Sequence, residues 1–240
     1  MKKIILLLVV FSLFSLAFVF AAQNSPTDKG SLEKITFIHY KKGFAKPEAP
    51  GKSKPVTCYG YLASGAKWKT IEPYLVNPTN SDSLGASFVE SAVTAGVAEW
   101  EKYGGNIFGS GSIDYNATYA ENIADGENTV SFGTYQNSGV IAVTNVWGYF
   151  GGKPQSRQLL EWDLLFNDTY FEFGDAAINP ALMDLQNIAT HEIGHAAGMN
   201  DLYNTACYQE TMYGYSTEGE TSKRDLSSGD IVGITKLYSG

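Results

Sequence analysis

Eleven residues, His191-Glu192-Ile193-Gly194-His195-Ala196-Ala197-Gly198-Met199-Asn200-Asp201, constrain this chain more than any other stretch. Residues four apart on a helix share a face, so His191 and His195 present two imidazoles to one side with Glu192 beside them, a pattern suited to a zinc ion. Gly198 permits a left-handed exit that turns the chain back. Without that break, a continued helix would carry residue 201 away from His191 at about 1.5 Å per residue. A hydrolytic zinc takes three protein ligands and keeps one position open. Of the chain's three histidines, only His39 lies outside this stretch, in a basic N-terminal arm. A site built from the body alone therefore takes a carboxylate. Asp201 stands at the right offset; the neighbouring Asn200 offers only a neutral amide, a poor zinc ligand. Glu192 is then the expected general base, taking a proton from the attacking water and passing it to the leaving amine. Glu210, Glu218 and Glu220 are alternative third ligands, but they sit among Gly, Ser and Thr rather than on a helix with apolar periodicity.

The 240 residues suffice for one well-cored domain with an N-terminal extension. Met1-Lys2-Lys3 followed by the apolar run Ile4 to Ala22 reads as an export signal (1–22), cleaved after Ala22 or retained as an anchor. The body is exported in either case, with no membrane contact expected beyond this segment. Residues 23–56 hold seven lysines against Asp28, Glu33 and Glu48, whereas residues 57–240 hold eight Lys or Arg against 22 Asp or Glu. An acidic body repels phosphates, so nucleic acid is excluded as its partner. The basic arm either docks on its own domain or trails as a loose tail. It contains one β-like run, Ile35 to Tyr40, and then the Lys-, Pro- and Gly-rich Lys41 to Pro55, which reads as linker or pro-segment.

In the body (57–240), Trp68 to Val76 reads as a strand that Pro73 places at an edge or bulge. Val89, Val93, Val97 and Trp100 recur at helical spacing between N-cap candidates Ser81-Asp82-Ser83 and a stop at Gly104-Gly105. β-like runs follow at Ser112 to Tyr119, Asn128 to Tyr135, Val140 to Phe150 and Gln158 to Phe173. A second helix is expected from Asn179 and Pro180 through Leu182, Leu185 and Ile188 to the histidines. Ser227 caps a last helix, with Asp230, Ile231, Ile234 and Tyr238 facing inward or closing its end. This order predicts an α+β fold in which the motif helix packs beneath a sheet.

His191-Glu192-x-x-His195-x-x-Gly198-x-x-Asp201 followed by Met212-Tyr213-Gly214 resembles the metzincin metallopeptidases. Lys67-Trp68, Glu161-Trp162-Asp163-Leu164-Leu165-Phe166-Asn167, and Leu226-Ser227-x-x-Asp230-Ile231-x-Gly233-Ile234-x-x-Leu237-Tyr238 extend the resemblance to the matrixin branch, over roughly residues 67–240. The resemblance implies a metzincin-like catalytic domain: a mixed twisted sheet of about five strands, two long helices, and a small C-terminal subdomain ending in a helix. It implies a secreted endopeptidase with one catalytic zinc, acting on proteins or peptides as a monomer. Met212 would form a methionine turn under the metal, Asp230 would support that turn, and Val140 to Trp147 would be the edge strand that pairs with an extended substrate. Tyr213 and Tyr215 either line the pocket for the substrate side chain after the cut bond or belong to the core.

The chain departs from the matrixin pattern in several places. Asp201 stands where matrixins carry His, as in snapalysin-type enzymes. The body lacks the histidines of the matrixin structural zinc, so that second ion is not expected. Calcium has many Asp and Glu available, but its ligands do not match one by one. Gly229 replaces the first of two acidic residues that open the last matrixin helix. In an exported protein the even pair Cys58 and Cys207 suggests a disulfide. In the rival arrangement, Cys58 serves as a cysteine switch, although Pro55 to Gly60 lacks the Arg that precedes the matrixin switch cysteine. Asn116 and Asn167 open glycosylation sequons. A rival from another class is a non-catalytic binding module on the same fold; Glu192 argues against it, since holding zinc needs only the ligands.

Overall fold

The structure, a computed structural model, describes residues 30–44 and 56–239; the export signal and most of the Lys- and Pro-rich linker lie outside them. Nine strands and three α-helices are assigned among the described residues. In chain order they are β1 (Glu33–Lys41), β2 (Tyr74–Val76), α1 (Ala86–Gly104), β3 (Gly111–Ile113), β4 (Thr129–Phe132), β5 (Val140–Tyr149), β6 (Gln158–Phe166), β7 (Phe173–Gly174), β8 (Met183–Asp184), α2 (Leu185–Ala196), β9 (Tyr215–Ser216) and α3 (Ser228–Tyr238). The main sheet runs β3-β2-β4-β6-β5-β1-β9, and β7 pairs with β8 separately. Five of those seven strands are the expected strands of the body. The arm adds β1 beside β5, and β9 pairs with β1 in turn.

Pairing is parallel from β3 through β6 and antiparallel from β6 to β5 and from β5 to β1. β5 and β6 are almost wholly buried, with Val146, Trp162, Leu164 and Phe166 inaccessible, so both faces of this part of the sheet are covered. Val140 to Trp147 is therefore an interior strand. Its expected free edge is taken by β1, which pairs from Glu33↔Gly148 to His39↔Ala142. The arm is docked over its described length, and a surface ion pair from Lys41 to Glu218 lies at its end.

α1 buries Val89, Val93, Val97 and Trp100, as their spacing predicts. Its N-cap is Gly85, with no side-chain cap, because Asp82 accepts from Phe173 N (2.9 Å) and Ser81 donates to Asp168. α2 starts later than Pro180 predicts. Asp184 is the N-cap and accepts from Asn187 N at 2.9 Å, while Arg224 pairs with it from outside the helix. Gly96 brings α1 against α2: a Cβ there would stand 3.0 Å from Ile193 and 3.1 Å from Thr190. Trp100 Nε1 donates to Thr190 O (2.6 Å) and Trp68 Nε1 to Ala196 O (2.7 Å), so two buried indoles grip α2 at its middle and its end.

α3 is closed by a capping box in which Ser227 and Asp230 each bond the other's backbone. Asp230 and Ile234 are fully buried, and Ile231 and Tyr238 half-buried. Cys58 and Cys207 form a disulfide that closes a separation of 149 residues, so Cys58 has no thiolate to act as a switch. Asn167 is also buried; its amide donates to Val140 O (2.7 Å) and Tyr135 O (3.1 Å), which removes that sequon from the surface. Among the described residues no helix is long and apolar enough to cross a membrane.

Replacing both cysteines by serine is expected to lower the unfolding free energy by about 2–5 kcal/mol, read as a shift in the urea midpoint. Burial pushes Asp163, on β6, up to about 8. The folded state then binds a proton that the unfolded state releases near pH 4, so stability falls as pH rises from about 4 to about 8. Asp163→Asn is expected to flatten that part of the profile, measured by urea midpoints across the same range.

Candidate metal centre

The motif sits on the last two turns of α2, where the four-residue spacing puts both imidazoles on one side. Each ring is aimed by its far nitrogen: His191 Nδ1 meets Thr211 O at 2.7 Å, and His195 Nδ1 meets Met199 O at 3.1 Å. With Nδ1–H donated to a carbonyl, each Nε2 lone pair faces away from the backbone and toward the same point. Gly198 takes φ +102°, the left-handed exit expected of it, and Asn200 N is fixed to Gly60 O at 3.0 Å. Beyond this turn Asp201 Oδ1 returns to 3.3 Å from His191 Nε2 and 3.5 Å from His195 Nε2. Asn200 is exposed.

These three atoms are buried and have no hydrogen-bond partner. Unpaired buried polar atoms cost about 1–3 kcal/mol each, so three converging on one point call for a shared ligand. Ligand atoms around a tetrahedral zinc with bonds of roughly 2.0–2.1 Å stand about 3.3 Å apart, and the observed separations fit. The protonation states of Asp201 and His191 fit too, whereas the Asp201 carboxylate raises His195 against its burial, so metal uptake displaces a proton there. Burial would raise the Asp201 carboxyl, but the neighbouring imidazoles of His195 and His191 hold it well below the usual carboxylate range. Burial pulls His191 down to about 4, so its Nε2 lone pair is free. A metal ligand must be deprotonated in this way. Tyr203 donates to Asp201 Oδ2 at 3.0 Å and fixes which oxygen faces inward.

Met212 lies fully buried beneath this group. A Cβ at Gly194, in the middle of the motif, would stand 2.3 Å from Met212 Sδ and 2.5 Å from Trp100, so glycine is required there. The turn at Met212 hangs on Asp230, which accepts from Thr211 N (2.6 Å), Met212 N (3.3 Å) and Ser227 N (3.2 Å). Gly229 has a local reason as well: a Cβ there would stand 2.0 Å from Cys58 O. Tyr213 and Tyr215 are half-buried and line a cavity of about 360 Å³ with Thr205, Tyr208 and Glu220. Among the alternative ligands, Glu210 accepts from Gly229 N and Asp230 N, Glu218 pairs with Lys41, and Glu220 faces Lys223.

Three residues absent from the expected site reach it. His39, on β1, lies with Nδ1 2.8 Å from Glu192 Oε1 and its ring 4.0 Å from that of His191. Thr144, on β5, donates to Glu192 Oε2 at 2.6 Å. Lys223 is buried to 1% exposure and spends its three protons on Tyr213 O, Tyr215 O and Ser216 Oγ, while burial brings its ammonium down to about 8. Alternation of Phe37 and His39 in the β-like run was a signal for one inward face of β1. No local pattern marks Thr144 or Lys223.

The matrixin family model matches residues 74–239. No curated protein matches the chain.

Asp230→Ala leaves Thr211 N, Met212 N and Ser227 N without their acceptor. An expected loss of at least about 3 kcal/mol in stability follows from the cost of buried unpaired donors. Zinc uptake should fall with it, because Thr211 O aims His191; urea unfolding and metal analysis of the same sample check both.

Proposed function

The chain belongs to the matrixin family, a family of zinc metallopeptidases, and from that premise we propose a secreted endopeptidase that cuts peptide bonds by Glu192-assisted attack of water. The observation that carries this reading is the convergence of three buried, unpartnered ligand atoms, His191 Nε2, His195 Nε2 and Asp201 Oδ1, beside a buried carboxylate. His191, His195 and Asp201 would hold one zinc, which supplies polarisation of the scissile carbonyl and a lowered water pKa when bound.

Glu192 neighbours the ligands without joining them; its Oε1 is 4.0 Å from His191 Nε2. Burial raises its carboxyl pKa, which brings it closer to the range where a carboxylate can accept a proton and return it. In this role it takes the proton of the attacking water and hands it to the leaving amine. Thr144 holds Oε2, leaving Oε1 as the working oxygen. Tyr213 and Tyr215 wall the cavity that receives the substrate side chain beyond the cut bond, and Lys223 fixes the backbone of both. Substrates are proteins or peptides. The Cys58–Cys207 disulfide and the apolar run from Ile4 to Ala22 support an exported protein.

Zinc content is expected at about one ion per chain in wild type and in Glu192→Ala, and to be lost in Asp201→Ala. In a His39→Ala background, Glu192→Ala should lower casein cleavage by roughly 10²–10⁴-fold with zinc retained. A full chain that takes up no zinc by elemental analysis would remove the reading.

A further inference from the structure

His191, Glu192 and His195 are at most 1% exposed, and the element that seals them is the chain's own arm. β1 fills the slot between β5 and β9, antiparallel to the first and parallel to the second, in the way an extended peptide adds to a sheet edge. Its alternate side chains enter the site. The Phe37 ring stacks on His195 with centroids 3.8 Å apart, and His39 is 1% exposed against Glu192.

The contact at His39 is specific. Lys223 donates to Ser216 Oγ (2.8 Å), Ser216 Oγ meets His39 Nε2 (3.1 Å), and His39 Nδ1 meets Glu192 Oε1 (2.8 Å). One consistent assignment runs each proton forward along this chain to a neutral imidazole that donates to the carboxylate. Thr144 already holds the other oxygen, so both oxygens of Glu192 carry a partner and His39 stands where an attacking water would meet Oε1. Meanwhile His191 Nε2, His195 Nε2 and Asp201 Oδ1 keep no partner. The grip is on the base and leaves the ligand atoms alone.

We propose that residues Glu33–Lys41 are a built-in inhibitory strand that occupies the substrate slot, with His39 holding the general base Glu192 out of use. This rests on the metallopeptidase reading above. Zinc uptake does not need the arm to leave, whereas peptide binding and cleavage do. The ion pair Lys41–Glu218 adds little, since such pairs near the surface contribute about 0–1 kcal/mol, and Thr36 adds one hydrogen bond to the buried Asn145 (2.6 Å). Strand pairing and the two buried rings hold the arm.

The test uses the full chain loaded with zinc, as wild type and as His39→Ala, with a fluorescent peptide hydroxamate as probe. Wild type is expected to bind the probe at least tenfold more weakly than His39→Ala and to cleave casein at least tenfold more slowly, at equal zinc content. Hydrogen exchange on wild type adds a reading that needs no variant to fold: amides of Ile35 to Tyr40 are protected alone and lose protection when saturating hydroxamate binds. Probe bound with those amides still protected overturns the proposal. Equal probe affinity in the two proteins overturns the part given to His39. Absence of zinc uptake in both overturns the metallopeptidase reading and this inference together, which separates that failure from the others.

Discussion

Three ligand atoms sealed from water with nothing to bond to are the constraint around which this molecule is arranged. Such atoms are tolerated only if the scaffold forbids them from turning toward other partners. Each nearby device serves that end. Thr211 O and Met199 O hold the two imidazoles by their far nitrogens, Tyr203 holds the far oxygen of Asp201, and Gly198 sets the angle at which Asp201 returns. Thr211 is itself placed by Asp230, a buried carboxylate whose bonds to three backbone amides fold the turn beneath α2. The C-terminal helix thus reaches the metal centre through one carboxylate and one carbonyl.

Close packing makes this possible. Gly96 and Gly194 are the places where α1, α2 and the Met212 turn come nearer than any side chain would allow. Trp100 lies against Gly194 and bonds Thr190 O, so the helix that bears the ligands is fixed by α1 as well as by the sheet. Volume and hydrogen bonding therefore act on the same few residues.

Much of this was legible in the sequence because it is local. The four-residue spacing of His191 and His195, the turn at Gly198 and the offset to Asp201 need only helix geometry, and Val89 to Trp100 announce α1 by periodicity. Pro180 is a strong start signal, yet α2 begins after it, because the cap at Asp184 is reinforced by Arg224, 40 residues away. The site's third histidine was out of reach for the same reason. His39 meets Glu192 across 153 residues, and nothing in a lysine-rich arm says which strand it will join. Its charge suggests docking, but charge has no register; β5 and β9 supply it. Gly229 looked like a lost acidic residue, and the structure gives the reason as the carbonyl of Cys58.

The bond between Cys58 and Cys207 has a mechanical consequence. A pull that peels β1 from β5 travels along the connecting chain and stops at Cys58, whose sulfur is tied to Cys207, between Asp201 and Met212, and whose carbonyl sits against the first turn of α3. The covalent path from arm to body is therefore anchored at a fixed pin. The pin exists only where thiols are oxidised.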